Sequence, residues 1–221
     1  MKIGCHCGGH YSDNPVPNPW KAFVVADEDR RNMAEDFDQD AADSGSRHGV
    51  DEFLDILDSW CSDLFQCWDC GRLIFDGADG KLHYFRPDNP GVPSPLLVAS
   101  PGSGPGPRRR SREKVGCDCG SAVDGSPTLS PCAATVVPDE GLSDLLDEVD
   151  EDADGEAPWR DFGEFMDTVG RFSAELFQCS NCGRLVFHRE GDELHRFTPD
   201  DPQTPTRLLR SRTHPPDGPR P

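Results

Sequence analysis

The chain has 221 residues, 34% of them hydrophobic, and a formal net charge of −19. That hydrophobic share lies below the usual globular value, so the core is thin for the length and calls for a metal or disulfides to support it. The charge argues against direct nucleic-acid binding, because attraction to phosphate supplies most non-specific affinity, and it suits solubility, a basic protein partner or nucleic-acid mimicry.

Met1-Lys2-Ile3-Gly4-Cys5 leads straight into a cysteine pair with no apolar signal segment. No apolar run approaches the roughly 20 residues of a membrane span. The expected setting is a reducing cytoplasm, away from membranes, where thiols stay available to metal.

The chain repeats itself at an offset of 112 without a net gap. Cys5-His6-Cys7-Gly8 returns as Cys117-Asp118-Cys119-Gly120, and Val24-Val25 as Val136-Val137. Phe65 to Phe75, containing Cys67-Trp68-Asp69-Cys70-Gly71-Arg72-Leu73, returns as Phe177 to Phe187. Phe85, Pro87 and Asp88 return as Phe197, Pro199 and Asp200. Matches at so many separated points indicate duplication, and two copies are too few for a solenoid. The expected organisation is a first module over residues 1–92, a linker rich in Pro, Gly and Arg over 93–114, a second module over 115–203 and a disordered basic tail over 204–221. Charge follows the same division: −10 over residues 1–100, +4 over 101–114, −16 over 115–202 and +3 beyond.

Within the first module, the CxCG turn comes first. Ala22-Phe23-Val24-Val25-Ala26 reads as a short strand. Asp27 or Asp29 then caps a helix with Met33, Ala34 and Phe37 on one face. Val50, Phe53, Leu54, Leu57, Trp60, Cys61 and Leu64 follow a helical period with acidic residues opposite, which predicts an amphipathic helix over 50–64. Its counterpart carries Phe162, Phe165, Met166, Val169, Phe172 and Leu176. The CxxCG knuckle follows, and then a hairpin formed by Arg72 to Phe75 and Leu82 to Phe85 around the turn-rich Asp76-Gly77-Ala78-Asp79-Gly80. The predicted fold class is α+β: two tandem copies of a small antiparallel sheet with helices on one face, each held by a zinc-ribbon-like pair of cysteine knuckles.

Each module offers one CxC and one CxxC. Cys5, Cys7, Cys67 and Cys70 form one set, and Cys117, Cys119, Cys179 and Cys182 the other. Four thiolates at about 2.3 Å complete a tetrahedral zinc site and leave no position for substrate, so two structural Zn2+ ions per chain are expected. Iron, as in rubredoxin-like knuckles, is the alternative occupant. Paired disulfides or free thiols are the alternative to metal. Cys61 aligns with Ser173 and Cys132 with Trp20, so neither is a shared ligand.

His83 and His195 are the only histidines that repeat. Alternative ligands, or a catalytic base in a minor enzymatic role, is one reading, but such strand histidines are ordinarily surface or half-buried packing residues. Asp150-Glu151-Asp152-Ala153-Asp154-Gly155, with Asp161 at the twelfth position, begins like a calcium loop. Ala157, Pro158 and the final Asp depart from that pattern, so it reads as a solvated acidic loop. There is no nucleophile constellation, phosphate loop or HExxH, and no catalytic residue is assigned.

The CxCG start, Pro19 to Ala22, Asp27 to Asp29, Cys67 to Leu73 and Phe85 to Asp88 together resemble a group of small uncharacterised bacterial proteins. The resemblance covers each module almost fully and implies a tandem fusion of two zinc-stabilised α+β domains, without a named activity. The second module departs from it at Cys132-Ala133, where the lysine is lost. The CxC and CxxC pairs also resemble, more distantly, the zinc switch of the redox-regulated heat-shock chaperone, where the pairs lie closer together. The functional expectation is a non-enzymatic interaction or regulatory protein, of immunity or inhibitor type, with a basic protein partner. The alternative is a thiol redox sensor that releases zinc on oxidation.

Overall fold

Val24 lies opposite Val136 across an antiparallel strand pair, and the two are the same position of the duplicated sequence. In the computed structural model, which describes residues 2–12, 17–44, 57–92, 95–97, 115–123, 132–142, 163, 169–170, 172–189 and 193–209, this pairing organises the molecule. The first half contributes β1 (Lys2–Gly4), β2 (His10–Ser12), β3 (Lys21–Ala26), α1 (Asp29–Ser44), β4 (Ser62–Gln66), β5 (Leu73–Asp76) and β6 (Leu82–Pro87). The second half contributes β7 (Val115–Gly116), β8 (Ala122–Val123), β9 (Ala133–Pro138), β10 (Ala174–Gln178), β11 (Leu185–Arg189) and β12 (Glu193–Pro199).

Strands β3 to β6 form an antiparallel meander, and β9 to β12 form another. Each meander alone would end in two unpaired edges, which natural sheets avoid exposing. Here the edges find each other. β3 pairs with β9 and β6 with β12, closing one eight-stranded antiparallel barrel. The two seams are centred on Val24–Val136 and on Arg86–Thr198. Both are pairs of equivalent residues, so a pseudo-two-fold axis passes through opposite walls of the barrel, as a self-complementary interface requires.

The barrel corrects the expected α+β class of two separate sheets with helices on one face. The chain is mostly β, with one closed barrel built jointly by both halves. Eight strands enclose a space just wide enough for side chains to fill. Ala22, Val24, Leu64, Leu73, Phe75, Phe85, Leu96 and Leu97 point into it together with Ala134, Val136, Leu176, Leu185, Phe187, Phe197, Leu208 and Leu209. The two leucine pairs come from segments that sequence composition assigns to linker and tail. Gln66 and Gln178, both buried, hold them by accepting the N–H of Leu96 and of Leu208 at 2.5 and 2.6 Å.

At the β3–β9 seam the outer face is covered as well, and every residue of β9 is buried. Val25 and Val137 lie at the β3–β9 seam under Met33 and Phe37 of α1, Leu57, Trp60 and Leu142. Met33 and Phe37 are one turn apart, so one helix face meets the sheet. The amphipathic helix expected over 50–64 is corrected at its end. Residues 57–60 are helical, but Ser62–Gln66 is strand β4, and Leu64 faces the barrel interior. The same change occurs before Leu176 in β10. The acidic stretch 150–161, the start of each of these helices, most of the linker and the end of the tail lie outside the described residues. No described helix is long and apolar enough to cross a membrane.

Candidate metal centres

Two short hairpins lie against the outside of the barrel, one per half. β1 pairs with β2 and β7 with β8. The turn of the first carries Cys5 and Cys7. The N–H of Cys5 donates to Gly9 O at 2.8 Å, and that of Gly8 to Cys5 O at 2.9 Å. Gly8 has φ 92°, a conformation that a side chain resists. The second knuckle joins β4 to β5. Cys67 N–H donates to Arg72 O and Gly71 N–H to Cys67 O, both at 2.8 Å, with Gly71 at φ 69°. The second half repeats both turns around Gly120 and Gly183.

These turns bring together the two cysteine sets read from the sequence. Cys5 Sγ lies 3.6 Å from Cys70 Sγ, and Cys7 Sγ 3.6 Å from Cys67 Sγ. Cys117 and Cys182 are 3.5 Å apart, and Cys119 and Cys179 3.6 Å. Within each set all four sulfurs lie within 4.8 Å of one another. A tetrahedron with metal–sulfur bonds of about 2.3 Å has edges of about 3.8 Å, so each tetrad can hold one metal ion. All eight are free thiols. Cys61, buried under the helical layer, and the half-buried Cys132 belong to neither tetrad.

The thiols are electrostatically unequal. Burial pushes Cys5 and Cys67 up, and Cys117 up to about 12. Burial also opposes ionisation of Cys70, but the backbone N–H and guanidinium of Arg72 outweigh it and bring that thiol down to about 7. Cys119 is brought down to about 5 by the hydroxyl and N–H of Ser121 and the amide of Asn181.

A second layer of contacts crosses between halves. Arg72 Nη1 donates to Cys70 Sγ at 3.4 Å, while its Nε donates to Asp200 Oδ2 at 2.9 Å. In the other half, Arg184 Nη1 donates to Cys182 Sγ at 3.8 Å and its Nε lies 3.6 Å from Asp88 Oδ2. Thr198 Oγ1 accepts from Arg184 Nε at 2.9 Å and donates to Asp88 Oδ1 at 2.5 Å. Each arginine belongs to the half whose cysteines it touches, and the aspartate orienting it comes from the other half, across the β6–β12 seam. The sequence signalled these four residues only as repeated positions in CGRL and FxPD. Their pairing depends on barrel closure.

The edges of the two sites differ. His6 stacks on Tyr84 with centroids 4.0 Å apart, and its Nδ1 lies 3.1 Å from Asp200. In the second half Asp118 takes the place of His6 and pairs with Arg196, which replaces Tyr84, at 3.5 Å. The repeated histidines stand apart from both tetrads. His83 Nε2 lies 3.0 Å from Asp79 Oδ1, and His195 Nε2 3.7 Å from Glu193 Oε2, both on buried rings in the returning hairpin strands.

A family model described as a domain of unknown function, DUF8617, matches the chain twice, over residues 1–89 and 113–201. The chain belongs to the DUF8617 family. The two matched segments are offset by 112 residues, as are the two tetrads, so the duplication is of whole DUF8617 units, and each unit supplies one tetrad and one half of the barrel. No curated protein and no solved structure matches the chain.

Proposed function

We propose that this DUF8617 chain is a non-enzymatic interaction protein, stabilised by two zinc ions, whose acidic surface takes a basic protein partner. The observation that carries the reading is the composition of each tetrad. Four thiolates drawn from two hairpins fill a tetrahedral coordination sphere and leave no open position for a substrate or an activated water. A barrel interior occupied by apolar side chains from both halves supports the same reading. All-sulfur tetrahedral sites suit zinc or iron, and zinc, having no redox chemistry, fits a structural clasp. The net charge of −19 favours a basic protein and disfavours nucleic acid. Free thiols in both tetrads suit a cytoplasmic, reducing setting.

Metal analysis of the purified chain tests the first part, with two zinc ions per chain expected. Disulfides in place of metal would end the reading. Retention of basic proteins on the immobilised chain, lost at high salt, tests the second part.

One observation favours a second reading, a thiol redox sensor. Cys7 and Cys119 are exposed, each about 3.6 Å from a buried partner, Cys67 or Cys179. Peroxide could take two electrons from such a pair. The thiolates would join as a disulfide, the peroxide would take up two protons and leave as water, and zinc would lose two ligands. Reversible zinc release under mild peroxide, coupled to a change in partner binding, is the expected signature.

A further inference from the structure

The two metal centres use the same backbone turns, yet both exposed positions between the CxxC cysteines differ, Trp68-Asp69 in the first and Ser180-Asn181 in the second. Trp68 follows Cys67 in the first half. It is the one large apolar side chain exposed among the described residues, at 47%, and it meets the half-buried Trp20 edge-on with centroids 6.4 Å apart. Asp69 lies over Gly9, where an added Cβ would run into its carboxylate and approach the sulfurs of Cys67 and Cys7. In the second half these four positions are Ser180, Cys132, Asn181 and Ser121. There the site forms with an amide donating to Cys119 Sγ at 3.7 Å.

The second half therefore shows that neither the fold nor the tetrad needs the tryptophan pair or the carboxylate. A carboxylate beside four thiolates works against the site it borders, because like charges repel, and an exposed indole loses by its hydration. Both features become favourable when a cation lies over them. An indole face attracts a guanidinium, a carboxylate takes it in a forked pair, and a divalent ion held by four thiolates leaves a net negative charge beneath.

We propose that the Trp20–Trp68–Asp69 face beside the first metal centre is a docking surface for an arginine side chain in a basic segment of a partner protein. This rests on the acidic-surface reading above and names the place where it is focused. Charge complementarity commits the occupant: the chain carries −19, and the second half, more acidic in sequence than the first, lacks the aromatic pair.

The test is titration of the full-length, zinc-loaded chain with a synthetic arginine-rich peptide, followed by tryptophan fluorescence and calorimetry. Trp68→Ser and Asp69→Asn are compared with the wild type, because each installs the residue that the second half already tolerates. Zinc content and far-UV circular dichroism report whether each variant keeps its fold. The expected result is binding by the wild type, weakened about tenfold by either substitution, with zinc content unchanged. A lysine-for-arginine peptide should bind more weakly than the original. Wild-type binding that both variants retain in full would overturn the docking surface and leave the acidic-partner reading standing. Failure of both the wild type and a chain carrying Arg108→Ser, Arg109→Ser and Arg110→Ser to bind would overturn both. Binding that emerges only after Arg108→Ser, Arg109→Ser and Arg110→Ser would place the chain's own basic stretch on this face and overturn the partner.

Discussion

The barrel interior and the rims of the metal centres follow opposite rules. Inside, all eight positions contributed by the first half recur unchanged in the second, from Ala22 and Ala134 to Leu97 and Leu209. At the rims, His6, Gly9, Trp20, Trp68, Asp69 and Tyr84 face Asp118, Ser121, Cys132, Ser180, Asn181 and Arg196. Closure explains the difference. Side chains from the two halves fill one space about a shared axis, so a change in volume must be accommodated twice in a lumen packed to the density of a crystal. A rim residue borders solvent and fills no part of the shared interior, so it is at liberty to acquire a separate role.

The largest expected effect comes from the clasp between hairpin and barrel. Cys67→Ser should abolish metal at the first centre and free the β1–β2 hairpin, because structural zinc sites of this kind bind with about 10–16 kcal/mol that is also folding free energy. Zinc stoichiometry should fall from two to one, with amide exchange rising in residues 2–12 and not in 115–123. Next is the interior. Phe75→Ala should cost about 3–5 kcal/mol in chemical denaturation, and its double mutant with Phe187→Ala should depart from additivity, since both side chains belong to one core.

A more moderate effect would break the cross-half pairing. Asp200→Asn removes the carboxylate that orients Arg72 on Cys70. It should weaken metal at the first centre about 10–100-fold, the usual cost of losing an outer-shell partner, and spare the second. Competition with a chromogenic chelator reads both centres. The last effect is graded with pH. Burial raises Cys5 and Cys117 above their usual range, so these thiols carry protons at neutral pH until metal displaces them. Metal affinity should rise with pH and fall as pH is lowered, by about tenfold per pH unit for each displaced proton. A flat profile between neutral and mildly alkaline pH would contradict those raised thiols.

The sequence made the local features legible and hid the global one. The tetrads could be read because CxC and CxxC are short-range signals and the 112-residue repeat separated Cys61 and Cys132 from the shared set. The β5–β6 hairpin was legible from its turn residues. Closure was not, because a meander's pattern specifies its buried faces and says nothing of where its edges go. The helical period also ran on too far. Leu57, Trp60 and Cys61 do lie on the helical layer, but Leu64 continues the count while facing into the barrel from β4. Leu96–Leu97 and Leu208–Leu209 were obscured by Pro-, Gly- and Arg-rich surroundings, although the repeat itself aligns them.

A single duplicated barrel predicts contacts that two independent sheets cannot make. Cross-strand nuclear Overhauser effects should appear between β3 and β9 around Val24–Val136 and between β6 and β12 around Arg86–Thr198, in the zinc-loaded full-length chain. Observation of both seams would establish closure. Slowly exchanging, well-ordered strands within each half, with neither seam present, would contradict it.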